Sequence, residues 1–237
     1  MEDVNTSEVL LAKNVDKVTP IASITKLMTA IVVLDAKLPL NEPLAISDED
    51  RDGVMGTTSR LNVGWSLSRA DMLHLALMSS ENRAAAALSR YYPGGRPAFI
   101  AAMNAKAADL GMSNTHFVNP NGLTNENVST ATDLVKLVHT AYQYPLIREY
   151  STDPGYSVQI GRRILPFANS NSLVGRPDWD IDVQKTGFIN DSGRCLVMRV
   201  NADGRPLIMV FLDAYGKLTR FADARRVRKQ LALAQIK

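Results

Sequence analysis

Pro20-Ile21-Ala22-Ser23-Ile24-Thr25-Lys26-Leu27-Met28-Thr29-Ala30, continued by Ile31-Val32-Val33-Leu34, is the stretch whose reading decides the fold. It predicts a helix from about Ser23 to Lys37, stopped before Pro39, because the residue before a proline is pushed out of the helical region. Leu27, Met28, Ile31, Val32 and Leu34 leave little polar face, so this helix is expected to be buried on most sides. Such a helix needs other elements around it, yet it carries Ser23 and Lys26. Residues three apart share a helix face, which brings the Lys26 amine within reach of the Ser23 hydroxyl.

Working outward, Glu8 to Ala12 reads as a short strand, with Met1 to Val4 as its partner across the turn Asn5-Thr6-Ser7. Residues 40 to 67 read as loop-rich, with weak turns at Asp52-Gly53 and Gly56. Ser68-Arg69-Ala70-Asp71 is a capping box that opens a helix through Met78. Ser79 to Asn82 interrupts it, and Ala84 to Tyr91 resumes helix. Pro93-Gly94-Gly95 is a turn, Pro97 suits the first position of the next helix, and Gly111 its end. Asn119-Pro120-Asn121-Gly122 is a loop. Thr130-Ala131-Thr132-Asp133 caps a helix to about Tyr144.

The last third changes character. Tyr156 to Ile160, Ile164 to Phe167, Ile181 to Thr186, Cys195 to Val200 and Leu207 to Asp213 read as strands. Asn190-Asp191-Ser192-Gly193 and Asp203-Gly204 supply hairpin turns. Phe221 to Ile236 reads as an amphipathic helix. The order implies an α+β chain: an antiparallel sheet flanked by helices, plus a mostly helical lobe. One domain spans 1-237, with the α/β part at about 1-40 and 155-237 and the helical lobe at about 41-154.

Composition narrows the function. The 237 residues are 46% hydrophobic and 22% charged with net charge +3, which suits a sizeable core and argues against disorder. The basic residues are scattered. The one cluster, Arg225-Arg226-Val227-Arg228-Lys229, reads as a solvated helix face, so nucleic acid is not an expected partner. No apolar run reaches membrane-spanning length, and no signal peptide stands at the start. The single cysteine, Cys195, reads as a buried strand residue. His74, His116 and His139 lack metal-ligand spacing, which disfavours a zinc peptidase and leaves no expected metal or cofactor.

Three short patterns carry chemistry. In Ser23-Ile24-Thr25-Lys26, a serine needs a base to attack a carbonyl, and lysine serves when burial and nearby positive charge lower its pKa. Alone, such a pattern arises by chance about once in a chain this long. In Ser80-Glu81-Asn82, at a break between helices, Ser80 offers a hydroxyl to relay a proton and Asn82 an amide to hold a peptide; alone, it is more simply a helix cap. In Lys185-Thr186-Gly187, at a strand end, Lys185 and Thr186 supply a cation and a hydroxyl for a carboxylate, and Gly187 lets a substrate backbone approach. Together, in this order and on helix start, interhelical loop and strand, they match the arrangement of penicillin-binding proteins and class A β-lactamases.

The chain resembles the low-molecular-mass penicillin-binding proteins, the serine D-alanyl-D-alanine peptidases of the S11 type. The likeness lies in Pro20 to Ala30, in Met78-Ser79-Ser80-Glu81-Asn82-Arg83-Ala84-Ala85, in Phe117-Val118-Asn119-Pro120-Asn121-Gly122-Leu123 and in Lys185-Thr186-Gly187-Phe188. Glu81 and Arg83 around Asn82, Tyr92-Pro93-Gly94-Gly95 and Phe188 resemble the endopeptidase branch; carboxypeptidase relatives often carry Gly before that Asn and His after that Gly. The resemblance implies a β-lactamase/transpeptidase-like fold, a periplasmic location reached by a leader absent from this chain, and peptidoglycan stems as substrate. It also implies β-lactams as inhibitors, and it leaves room for other cell-wall enzymes as partners.

It implies these roles as well. Ser23 attacks a D-alanyl carbonyl and Lys26 takes its proton. Ser80, bridging Lys26 and Lys185, returns a proton to the leaving amine. Asn82 orients the substrate, Lys185 and Thr186 grip a carboxylate, and the backbone N–H groups of Ser23 and Phe188, beside Gly187, form the oxyanion hole. A class A β-lactamase would need a deacylating glutamate, and neither Glu126 nor Glu149 stands in that setting. A non-catalytic β-lactam sensor or wall-binding module is the rival from another class.

Overall fold

The computed structural model describes residues 1–53, 56–202 and 204–234. In chain order the elements are β1 (Glu2–Asp3), β2 (Thr19–Pro20), a 3₁₀ turn Ala22–Ile24, α1 (Thr25–Asp35), β3 (Pro43–Ala45), β4 (Ser66–Ser68), α2 (Arg69–Met78), α3 (Asn82–Arg90) and α4 (Gly95–Asp109). They continue as β5 (Val128–Ser129), α5 (Ala131–Tyr142), α6 (Pro145–Thr152), β6 (Gly155–Ile160), β7 (Arg163–Ala168), β8 (Asp180–Ile189), β9 (Gly193–Ala202), β10 (Arg205–Ala214) and α7 (Thr219–Ala234).

The main sheet is antiparallel with order β1-β10-β9-β8. Its central strand, β9, is covered on both faces, which is why Cys195 to Val200 reads as an unbroken apolar run. Cys195 and Val197 join the core shared with α1. Leu196, Met198 and Val200 alternate to the other face, with Phe221 and Ala224 of α7, as the two-residue period of a strand requires. Every residue of α1 from Thr25 to Val33 is buried, as its apolar girth demands. The basic cluster does form an exposed face of α7 at Arg225, Arg226 and Lys229.

Local expectations hold where a cap fixes them. Ser68 accepts from Asp71 N and Asp71 returns the bond, so α2 runs from Arg69 to Met78 as read. Thr130 caps α5 in the same way, accepting from Asp133 N. Elsewhere the structure departs from the reading. Residues 8 to 11 fold back on 1 to 3, but Leu10 and Leu11 both donate to the Met1 carbonyl, so regular pairing shrinks to a single Glu2–Val9 bridge. The loop-rich region holds a hairpin, β3 with β4. Pro145 does not end helical structure; it stands at the first turn of α6, where its missing N–H costs nothing. Helix α4 starts at Gly95, ahead of Pro97, because Gly94 takes the left-handed φ of +83° that turns the chain. Asp203, Ile236 and part of the loop before Gly56 lie outside the described residues.

Candidate active site

Ser23 does not lie inside α1. It sits in the 3₁₀ turn before it, entered through Ala22 at φ +46°, a left-handed value that non-glycine residues seldom adopt. Gly122 explains how this is held. A side chain there would stand 1.9 Å from the Ala22 carbonyl oxygen, and Gly122 itself has φ +80°. From the other side Gly187 of β8 approaches so closely that a Cβ would lie 2.9 Å from the Ile21 oxygen and 3.2 Å from the Ser23 nitrogen. Two glycines thus clamp the Ala22–Ser23 peptide between the 119–122 loop and the sheet edge.

The three-residue spacing performs as expected. Lys26 Nζ donates to Ser23 Oγ at 2.7 Å. It also donates to Asn82 Oδ1 and to the Asn121 carbonyl, each at 2.7 Å. The amine is fully buried. That burial lowers its pKa to about 7, against a smaller opposing pull from the Glu81 carboxylate. The three donated bonds are those of the protonated amine, and a pKa brought near neutrality makes its free base accessible next to the Ser23 hydroxyl.

The loop that presents the Asn121 carbonyl is tied down by side chains. Thr29 Oγ1 donates to the Pro120 carbonyl, and Asn127 Nδ2 donates to Thr25 Oγ1 and to the Asn119 carbonyl. Asn119 Oδ1 accepts from Gly122 N. These residues pin the 118–127 segment to the first turn of α1.

Asn82 opens α3, and its amide is oriented by Lys26 at Oδ1 and Thr57 Oγ1 at Nδ2. Ser80 is half-buried in the break between α2 and α3, at φ +63°. Among the described residues its hydroxyl forms no hydrogen bond to Lys26 or Lys185. The expected bridge is therefore not made: Lys26 spends its donors on Ser23, Asn82 and Asn121, and Lys185 Nζ donates to the Thr186 carbonyl at 3.0 Å.

Lys185 and Thr186 are neighbours on β8, opposite Val197 and Leu196 of β9, so their side chains leave the strand on opposite faces. Lys185 is fully buried, and burial first, then the charges of Lys26 and Arg220, push its pKa well below the usual lysine value. Thr186 Oγ1 donates to Ser170 Oγ at 2.7 Å. Phe188, one residue beyond Gly187, is 47% exposed.

Arg220, in the first turn of α7, was not singled out from the sequence. It is buried, and among the described residues its Nε and Nη1 have no hydrogen-bond partner. Burial and the nearby Arg194 charge lower its pKa. A buried guanidinium with unused donors calls for an anion. No local pattern marks it, because it reaches the site from a distant helix. The role of Asn121 has no side-chain signal for another reason: it accepts from Lys26 through its backbone carbonyl, which any residue possesses.

The arrangement defines a class: a serine acyl-transfer site with a lysine base, set between a helical lobe and the edge strand of an antiparallel sheet. Residues 1–216 match the D-alanyl-D-alanine carboxypeptidase family, peptidase family S11. The chain is 52% identical over 236 residues to the D-alanyl-D-alanine endopeptidase of Pseudomonas aeruginosa, covering 99% of this chain and 76% of that protein. It is 50% identical over 243 residues to the D-alanyl-D-alanine endopeptidase of Escherichia coli, with the same coverage. Among solved structures, the Streptomyces K15 DD-transpeptidase superposes with a TM-score of 0.88 at 27% identity, covering 96% of this chain and 93% of that one. Penicillin-binding protein D2 from Listeria monocytogenes, in its cefotaxime-bound form, gives 0.85 at 30%, with the same coverage. The chain belongs to the serine D-alanyl-D-alanine peptidases of family S11, and it has the fold of the penicillin-binding proteins.

Proposed function

We propose that this enzyme hydrolyses the D-alanyl cross-links of peptidoglycan through an acyl-enzyme on Ser23. The observation that carries the reading is the Lys26 amine, buried and 2.7 Å from the Ser23 hydroxyl, with a pKa of about 7. Ser23 Oγ attacks the D-alanyl carbonyl as Lys26 takes its proton. The oxyanion is held by the backbone N–H groups of Ser23 and Phe188, a pairing supported by the close approach of Gly187 to Ser23 N. The C–N bond then breaks, the proton passes to the leaving amine, and water hydrolyses the ester.

Ser80 is assigned the return of that proton, on its position beside Asn82 in the wall that carries Lys26. Asn82 exchanges Thr57 for a substrate carbonyl. Thr186, Lys185 and Arg220 receive the carboxylate next to the scissile bond, which restores charge to Lys185 by pairing it. Cross-links are favoured over terminal D-alanine because the curated relatives at 52% and 50% identity are named endopeptidases, and because the exposed Phe188 ring stands where a bulky leaving residue must fit. Residues 1–237 act as one catalytic unit, with the split α/β part and helical lobe read from the sequence. Its place of work is the periplasm, and β-lactams are its inhibitors.

The test is to incubate the protein with a penicillin and map the adduct by peptide mass spectrometry. Label on Ser23 is expected; label elsewhere, or none at saturation, sinks the mechanism. Turnover of a cross-linked muropeptide dimer against a monomeric pentapeptide then reads the substrate preference, and faster cleavage of the dimer is expected.

A further inference from the structure

Phe188 also lines a cavity of ≈ 350 Å³, set between the β8–β9 turn and the chain from β10 to α7. The charged side chains that line it are Arg194, Lys217 and Asp213. Arg194 pairs with Phe188 across β8 and β9, and its guanidinium carbon lies 4.1 Å from the Phe188 ring centroid. The ring fixes the guanidinium plane by cation–π contact and takes up none of its N–H donors. Among the described residues neither Arg194 nor Lys217 has a carboxylate partner; Asp213, the one carboxylate in the lining, has an exposed contact from Lys17 to its Oδ2 at 3.5 Å. Tyr215, 97% exposed, stands at the rim. The cavity therefore presents two free cations on an aromatic wall.

Its position gives these cations a use. Arg194 stands two residues from Leu196 on β9, so it shares with Thr186 the face of the sheet that Phe221 of α7 covers. On the reading above, Arg220 and Thr186 hold the carboxylate adjacent to the scissile bond, which belongs to the leaving residue. Whatever extends further from that residue enters the cavity beyond Phe188. D-alanine ends at its one carboxylate and reaches nothing there. The leaving stem of a cross-link continues, and it is acidic.

We propose that the cavity formed by Phe188, Arg194 and Lys217 is a subsite for a leaving peptide that bears a second carboxylate, with Arg194 as the principal partner and Lys217 as an auxiliary one. This deepens the cross-link reading and rests on it for the direction of the substrate. It makes selectivity a matter of a second anion, with the Phe188 ring acting as the platform that aims the guanidinium.

The experiment avoids bond cleavage, so that its outcome is separate from the labelling of Ser23. The probe is the amine product of a cross-link, a stem peptide ending in a diamino diacid, prepared with its second carboxylate either free or amidated. Binding of both to the wild-type protein is followed by calorimetric titration. The free acid is expected to bind roughly tenfold tighter than the amide, the discrimination of one charge-assisted pair. In Arg194→Gln that ratio should fall to about threefold or less, and in the surface variant Lys217→Glu it should fall by about threefold. A wild-type protein that does not distinguish acid from amide overturns the subsite. So does a ratio retained in both variants.

Discussion

The two walls of the cleft treat charge in opposite ways. On the helical wall, Lys26 gives its donors to Ser23, Asn82 and Asn121, all at 2.7 Å, and the loop behind it is bonded at Asn119, Pro120 and Asn127. On the sheet wall, Lys185 has one backbone acceptor and Arg220 leaves two nitrogens unpartnered among the described residues. The helical wall is a finished hydrogen-bond network around an amine whose pKa burial lowers to about 7. The sheet wall is unfinished, and in the proposed function the substrate carboxylate completes it. The same burial that tunes Lys26 makes Lys185 and Arg220 costly until that ligand arrives.

Breaking the finished wall should have the largest effect. Lys26→Arg keeps a cation but removes an accessible base, and acylation by penicillin should slow by about a thousandfold, within the range for loss of a general base. In the wild-type enzyme the rate should follow the neutral form of Lys26. It is expected to fall about tenfold per pH unit below the Lys26 pKa of about 7, since the protonated amine cannot accept. An acylation rate flat from pH 5 to pH 8 would remove Lys26 as the base. Breaking the unfinished wall should cost less and carry a signature of its own. Arg220→Met should weaken turnover by about thirtyfold, mostly through KM, as expected for one charged hydrogen-bonding group. It should raise the melting temperature, because an uncompensated buried charge is removed; a lowered one would mean that Arg220 is structural.

The clamp between the walls is tested by Gly122→Ala. A methyl group 1.9 Å from the Ala22 oxygen, at a left-handed φ, should cost more than about 2 kcal/mol of stability. Gly53→Ala, whose added methyl would meet nothing within 4 Å, is the control, and chemical denaturation compares the two. The smallest effect is reserved for Phe188→His. The dimer-to-pentapeptide ratio should move toward the pentapeptide by about threefold, in line with a modest change in one pocket contact. An unchanged ratio would place selectivity elsewhere.

The same division explains what the sequence could and could not tell. The finished wall was legible because its partners are local or carried by short patterns: Ser23 and Lys26 share one turn, and Asn82 stands at a helix break. Lys185 to Phe188 are legible as a short pattern on a strand, although β8 does not end there as the pattern predicts but continues to Ile189. Arg220 is invisible in the sequence, since its meaning comes from the packing of α7 against β9 and β10. Ser80 was given a bridging bond that the observed donors of Lys26 do not make. In the fold, capped helices such as α2 came out to the residue. Strand pairing at the N-terminal edge is less regular than the pattern predicts, and α6 escapes the pattern because Pro145 reads as a stop whereas it is a first-turn residue.

The unpartnered guanidinium of Arg220 also bears on what happens after the first bond is cut. A wall that attracts the carboxylate of the leaving peptide retains the freed amine next to the ester on Ser23. The acyl group then faces two nucleophiles, water and the amine just released, and the commitment of the reaction depends on which is nearer. Added amine product should therefore slow release of the acyl group into hydrolysed product, with oxygen-18 water reporting how often the original bond is remade. Loss of that dependence in Arg220→Met would make the carboxylate grip the element that sets reversibility, and its persistence there would assign that control to another part of the cleft.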